Sequence, residues 1–321
     1  LGRTALEAIN KAFRSSEQKL EGITALDKSK YDSDLLLRSA HPLRYLAAYT
    51  AIKDGETDLQ KLSSITGFDV YFLSLLMEMK ELEEEIASSP MTDELYLKAK
   101  KAGLSDKAIK ALTEAPLPEH IVPARHYVDT CAGEFKALTP YCYTSYGEED
   151  EGTGLGPDAV IILASGPNRI GQGLEFDTCC TLSSRAFRKH GRKTVMINSN
   201  PETVSTDYNT SDRLYIEPLT AEAVLDIMNK EGTRNVVVQL GGQTPLNMAA
   251  ELERNGANII GTSLESIDRT EDRGLFSELV KELGLRQPEN RSASSIDEIR
   301  EKAAEIGFPV LTRRKGYVHR L

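Results

Sequence analysis

The sequence predicts a multidomain chain, an all-α helical domain followed by an α/β domain built on a parallel sheet. Three observations predict it. Apolar residues recur at helical spacing up to about residue 138. An acidic, glycine-rich run, GEEDEGTGLGPD at 147–158, then breaks the pattern. Beyond it, short apolar runs alternate with amphipathic stretches, the rhythm of parallel strands joined by helices.

The helical reading rests on Tyr71, Leu73, Leu75, Leu76, Met79 and Leu82, with Glu81, Glu83, Glu84 and Glu85 on the complementary face. Thr92 ahead of Glu94 and Leu95, and Ser105 ahead of Asp106 and Ile109, supply side-chain oxygens suited to capping a helix start. Gly67 and Gly103 interrupt the pattern as turn residues do. No residue here groups with others into a catalytic constellation, so the segment reads as a packing or assembly domain. In the run at 147–158, Leu155 is the only large apolar residue. That is too little to offset the entropy of ordering, so the run is expected to be exposed and to mark a domain boundary.

After the boundary, AVIILAS at 159–165 suits a strand buried on both faces. A glycine-rich loop and a helix to about His190 come next, then a second strand, KTVMINSN at 193–200. A helix at 221–230 leads to NVVVQLGG at 235–242, and another at 245–255 leads to NIIG at 258–261. Short connections between these elements imply right-handed crossovers in a Rossmann-like domain. Further on, Thr270 is expected to cap a helix through Leu275 and Leu279. Ser295 is expected to cap another through Ile299 and Ala303, ending at Gly307. FPVLTR at 308–313 reads as one more strand, the start of an unfinished module. The chain begins at Leu1 without an initiator Met, which reads as a segment of something larger.

Composition narrows the function classes. The 321 residues are 40% hydrophobic and 27% charged, ordinary for a soluble globular protein with room for two domains. A net charge of −10 argues against nucleic-acid binding, though it leaves room for a local basic pocket. No apolar run reaches bilayer length and no signal-peptide pattern opens the chain, which favours the cytoplasm. Cys131, Cys142, Cys179 and Cys180 are too few and irregular for a disulfide framework, and no Cys/His cluster has zinc spacing. Cys179 and Cys180 read as small buried hydrophobes in a helix.

The loop ASGPNRIGQG at 164–173 lies between a strand and a helix, where backbone amides can approach a phosphate. Its spacing is not that of a dinucleotide fingerprint. Gly166, Gly171 and Gly173 do not make G-x-G-x-x-G, and Pro167 removes an amide donor. The second strand ends in Asn198, Ser199 and Asn200, without the acidic ribose partner. There is no G-x-x-x-x-G-K-[ST] loop either. A loop shaped for close packing around a polar interior is the alternative.

Taken together with the segments after it, the loop resembles a known family. GPNRIGQGLEFD at 166–177, NSNPETVSTDYNTSDRLYIEP at 198–218, GGQTPLNMA at 241–249 and IDRTEDRGLF at 267–276 stand in order. Together they resemble the second pre-ATP-grasp domain of the carbamoyl-phosphate synthase large subunit. RHYVDTCAGEF at 125–135 is similar to the stretch joining the family's helical oligomerisation domain to its second half. LGRT at 1–4 resembles the end of the first ATP-grasp module, and FPVLTR the opening of the second. The resemblance implies a remnant of the first module at 1–16, an oligomerisation domain at 17–146 and a linker at 147–158. A Rossmann-like pre-ATP-grasp domain at 159–270 and a truncated ATP-grasp start at 271–321 complete it.

In that family ATP-dependent synthesis makes carbamoyl phosphate from bicarbonate and ammonia, for arginine and pyrimidine biosynthesis. A glutamine amidotransferase small subunit supplies the ammonia. The resemblance implies ATP with Mg or Mn as cofactors of the full subunit, with the metal ligands outside this chain. The implied partners are the rest of the large subunit, the small subunit and further copies of the chain, with no nucleic acid and no membrane. Arg273 and Arg313 match arginines that reach ATP, and a forked, permanent cation suits phosphate oxygens. Without the resemblance, Arg273 reads as a solvated helix residue. Glu175 and Glu202 match carboxylates lining a carbamate tunnel; for Glu175 the plain alternative is a carboxylate stabilised at its helix N-terminus. Asn168, Arg169, Asn200 and Gln243 are expected to shape the same polar interior.

The pattern departs from the family after Arg313. There RKGYVHRL replaces the expected R-P-S-[FY]-x-x-G-G continuation, leaving a basic tail expected to be poorly ordered. A truncation, a frameshift, a vector-derived tail or a split subunit each account for it. The expected consequence is a chain inactive by itself. Two competing readings stand beside it: an assembly module without nucleotide binding, and another ATP-grasp ligase such as a biotin-dependent carboxylase.

Overall fold

The computed structural model describes residues 1–16, 18–131, 134, 139–147, 149–167, 173–291, 293 and 295–312. The chain divides into two compact units, the first ending at Gly261 and the second starting at Thr262. No helix among the described residues is long and apolar enough to cross a membrane.

The first unit opens with helices α1 (Ala5–Ser15), α2 (Ser33–Arg38), α3 (Arg44–Lys53), α4 (Leu59–Thr66), α5 (Val70–Ser88), α6 (Asp93–Lys101) and α7 (Asp106–Leu112). Thr92 and Ser105 cap α6 and α7 as their positions suggest. Thr4, Asp32, Asp58 and Asp69 do the same for α1, α2, α4 and α5. Each such cap contributes about 1 kcal/mol by satisfying an amide the helix leaves open. Helix α4 ends at Gly67, whose φ of 73° suits a residue without a Cβ. The long α5 carries the core. Its Leu73, Leu76 and Ile86 are fully buried with Leu46 and Tyr49 of α3, while Tyr71 at its start is exposed.

A sheet of seven strands comes next, among the described residues: β1 (Ala124–Tyr127), β2 (Tyr141–Ser145), β3 (Val160–Leu163), β4 (Thr194–Asn198), β5 (Arg213–Ile216), β6 (Asn235–Val237) and β7 (Asn258–Ile259). Its spatial order is β1-β2-β5-β4-β3-β6-β7, antiparallel between β1 and β2 and parallel elsewhere. The fully buried β3 and β4 sit at its middle. Crossovers are provided by α8 (Leu174–Lys189), α9 (Ala221–Glu231) and α10 (Gln243–Arg254).

Several expectations need correction. Residues 124–127 and 141–145, assigned to the helical stretch up to about residue 138 or to its edge, are strands β1 and β2. They are short and part-polar, and pairing makes them strands, β2 against β5 and β1 against β2. Cys180 is buried as expected, but Cys179 is exposed. The run at 147–158 is exposed in most of its described residues, yet it is tethered. Arg125 N donates to Asp150 at 2.6 Å, Arg125 Nε donates to the Glu151 carbonyl at 2.8 Å, and Leu155 N donates to Glu231 at 3.0 Å.

The second unit contains α11 (Leu264–Glu271), α12 (Arg273–Glu282) and α13 (Ile296–Ile306). Thr270 lies inside α11, which Ser263 caps; Asp272 caps α12. The short Asp272 carboxylate reaches the Gly274 and Leu275 amides at 2.8 and 3.1 Å, which places the break two residues later than expected. Ser295 and Gly307 bound α13 as expected. Residues 308–312 form no strand, because no neighbouring strand stands beside them among the described residues. The tail at 313–321 lies outside the described residues.

Within the first unit the helical core and the sheet core are separate apolar clusters, and buried charges join them. Lys11 of α1 donates to the Thr144 carbonyl at 2.5 Å and to Glu217 at 2.9 Å. The Thr144 amide reaches the same Glu217 oxygen at 2.6 Å. Lys100 of α6, fully buried, pairs with Asp106 at 2.9 Å and with Glu222 of α9. His120 spans Asp106 at 3.2 Å and Asp226 at 2.7 Å. Hydrogen bonds from Asp106 and then Asp226 raise the His120 imidazole to about 10.

A raised histidine contributes stability that is fully present below its unfolded value, near pH 6.5, and is lost as pH climbs toward 10. Urea midpoints measured across that window are therefore expected to fall for the wild type and to stay flatter for His120→Asn. Parallel slopes for the two proteins would refute the assignment.

Candidate functional site

The chain order runs outward from β3 in both directions, through β4 and β5 on one side and β6 and β7 on the other. Where the order reverses, between β3 and β6, the connections part at the carboxyl ends of the strands and leave a crevice. Two glycines shape its wall. A Cβ on Gly241 would lie 2.4 Å from the Leu163 carbonyl oxygen and 2.5 Å from that of Ala164, so only glycine lets the chain pass over the end of β3. Gly242, with φ of 79°, then turns into α10 beside the ring of Phe176. Helices α8 and α10 both begin without a side-chain cap.

Glu175 is the second residue of α8 and is exposed at this edge. Its carboxylate sits in the first turn, where the helix dipole favours negative charge. Two residues on, still in the first turn, lies Asp177, completely buried. Thr203 Oγ1 donates to Asp177 Oδ2 at 2.5 Å, and Ser205 Oγ donates to Oδ1 at 2.8 Å. Asn198 Nδ2 donates to Ser205 Oγ at 3.0 Å and lies 3.5 Å from Asp177. From there two side-chain turns carry the loop outward. The Asn200 amide donates to Asn198 Oδ1 at 3.1 Å, and the Glu202 amide donates to Asn200 Oδ1 at 3.0 Å. Glu202 emerges exposed.

Glu175, Asn200 and Glu202 therefore all stand on the carboxyl edge of the sheet, tied through Asp177. Gln243, the first residue of α10, is on that edge too, but exposed and donating to Asn247 Oδ1 at 3.1 Å. Asn168 and Arg169 lie outside the described residues. Asp177 was missed as a positioning group. Its signal was an aspartate inside an amphipathic helix paired with the hydroxyl-rich TVST directly after Glu202.

Among the described residues the edge offers hydrogen-bond acceptors. Burial pushes the Cys180 thiol up to about 12, and no group of three or more His, Cys, Asp or Glu side chains that could hold a metal assembles among the described residues. Two carboxylates and amides on a sheet edge can line a polar passage.

The second unit holds a cavity of about 550 Å³ lined by Arg273, Phe276, Asn290, Lys302, Val310 and Leu311, among others. Arg273 is exposed at the first position of α12, and its side chain joins no other described residue. A cation there opposes the helix dipole, so helix stability does not explain its placement, whereas an anionic ligand would. Ser277, one turn after Arg273 on α12, and Asn290 also line it and are joined at 3.2 Å. Arg313 lies outside the described residues; residues 310–312, just before it, line this cavity.

Comparison with known proteins gives two adjacent family matches. Residues 1–127 match the model described as "Carbamoyl-phosphate synthetase large chain, oligomerisation domain", and residues 157–269 match "Carbamoyl phosphate synthase preATP-grasp domain". Among relatives, the carbamoyl phosphate synthase large chain of Kineococcus radiotolerans is 45% identical over 98% of this chain. Those of Methanothermobacter thermautotrophicus and Neisseria meningitidis are 42% and 43% identical, also over 98% of it. The chain spans 30% of the length of each of these relatives.

Proposed function

Because the chain belongs to the carbamoyl phosphate synthase large-chain family, we propose that it is that subunit's central section, its assembly domain and second pre-ATP-grasp domain. On this reading the complete ligase makes carbamoyl phosphate from bicarbonate, glutamine-derived ammonia and ATP in the cytoplasm, for arginine and pyrimidine synthesis. The section supports the half that phosphorylates carbamate. Glu175 and Glu202 line the carbamate passage, and Asn168, Arg169, Asn200 and Gln243 shape its polar surroundings. The helical domain brings copies of the subunit together, and the small amidotransferase subunit docks on the complete large subunit. The two adjacent matches favour this family over a biotin-dependent carboxylase.

The observation that carries the nucleotide part is Arg273, an exposed arginine set against its helix dipole in a cavity of about 550 Å³. The cavity's mix of cationic, amide and apolar lining fits ATP, whose phosphates Arg273 and Arg313 would meet. Magnesium or manganese does not fit what is present. No group of carboxylates able to hold it assembles among the described residues.

Calorimetry of the purified chain is expected to show weak, saturable ATP binding. Arg273→Ala is expected to weaken it about ten-fold or more, the usual worth of a hydrogen bond to a charged partner. Equal affinity in the variant would remove Arg273 from the site, and no binding by either protein would favour the assembly-module reading. The same chain supplied with ATP, bicarbonate and ammonia is expected to form no carbamoyl phosphate; measurable product would overturn the reading of an incomplete catalyst.

A further inference from the structure

Between the two buried charge networks of the first unit lies a cavity of about 20 Å³, lined by Lys11, Arg14, Lys100, Glu217, Glu222 and Asp226 together with Tyr146 and Ala223. We propose that this cavity is a fixed-water site, whose single water links the charge network of α1 to that of α6 and α9. The inference is independent of any nucleotide role.

Volume sets the first limit. A water needs roughly 10–15 Å³ of free space, so a cavity of about 20 Å³ has room for one. Charge sets the second. Three cationic side chains oppose a metal cation, and three carboxylates oppose an anion, which leaves a neutral ligand able both to donate and to accept. The third observation is an unmet need. Arg14 Nε is buried and has no hydrogen-bond partner among the described residues. A buried N–H left without an acceptor is costly, and a water oxygen supplies the acceptor while its protons turn to the carboxylates.

The neighbours are already held in place, which makes the site preformed. Glu217 is anchored by Lys11, the Thr144 amide and the Thr144 hydroxyl at 2.9, 2.6 and 2.8 Å. Glu222 accepts from Lys100 and, at 2.9 Å, from the Asp106 amide. Asp226 is held by His120 at 2.7 Å. A water among them would join the helical bundle to the start of α9 and the end of β2 through one hydrogen-bonded circuit.

A high-resolution crystal structure of the chain tests the site directly. The expected result is a single peak within hydrogen-bonding distance of Arg14 Nε; an empty cavity, or an ion there, overturns the proposal. A double-mutant cycle tests its worth. Ala223→Val fills the space and is expected to lower the folding equilibrium constant about ten-fold by stranding Arg14 Nε. In an Arg14→Met background the stranded donor is gone, so the Ala223→Val penalty should shrink. Strictly additive penalties would mean that the valine acts through helix packing alone, and the water circuit would be rejected.

Discussion

Glu231→Ala is expected to be the most destabilising single substitution in the first unit, by about 3–5 kcal/mol. Glu231 is fully buried at the end of α9 and serves two guanidiniums at once. Arg213 Nη1 donates to both of its oxygens at 2.7 and 2.6 Å, and Arg125 Nη1 donates to one of them at 3.1 Å. The Tyr215 hydroxyl and the Leu155 amide complete the set at 2.5 and 3.0 Å. Removing the carboxylate leaves two cations in a site with little water to solvate them. The Leu155 amide, one of the groups tethering the acidic run at 147–158, loses its acceptor with it.

Denaturant midpoints would measure the loss. If unpaired charge is the cause, exchanging all three groups together (Glu231→Leu with Arg125→Met and Arg213→Met) should recover most of the stability, since apolar groups of similar volume need no counterion. A triple variant no more stable than Glu231→Ala would show that the ion cluster is worth more than its replacement by packing.

The second large effect is expected at Asp177→Ala, about 3 kcal/mol, because Thr203 and Ser205 lose their acceptor and Asn198 loses its neighbour in a buried setting. Here the location matters more than the magnitude. Asp177 is what binds the loop after β4, which carries Glu202, to α8, which carries Glu175. Amide exchange at 198–206 should accelerate in the variant while the helical segment up to Leu112 stays protected. Unchanged protection at 198–206 would mean that the loop is held by its own turns, and Asp177 would lose its positioning role. In the complete subunit the same substitution is expected to impair transfer between the two halves, as the carbamate-passage reading requires.

Much was legible in the chain alone, for local reasons. Strand β3 could be read because a run such as VIIL has no place except between two covered faces. The capped helices could be read because Thr92, Ser105 and Ser295 satisfy amides a few atoms away. The four spaced motifs between 166 and 276 pointed to the family for the same kind of reason, as features written along the chain. Strands β1, β2 and β5 were not legible, since sequences such as ARHY and RLYI become strands only when a partner stands beside them.

The sequence by itself therefore determined the family, the order of helical and α/β segments and the residue types at the sheet's carboxyl edge. Only the tertiary structure decided that charges rather than apolar side chains join the two cores, and that Asp177 and Glu231 hold the loops on either side. The physical reason is distance along the chain. A cap or an apolar run is specified within a few residues, whereas Lys11 and Glu217 stand 206 residues apart, and nothing in either local sequence says that they meet.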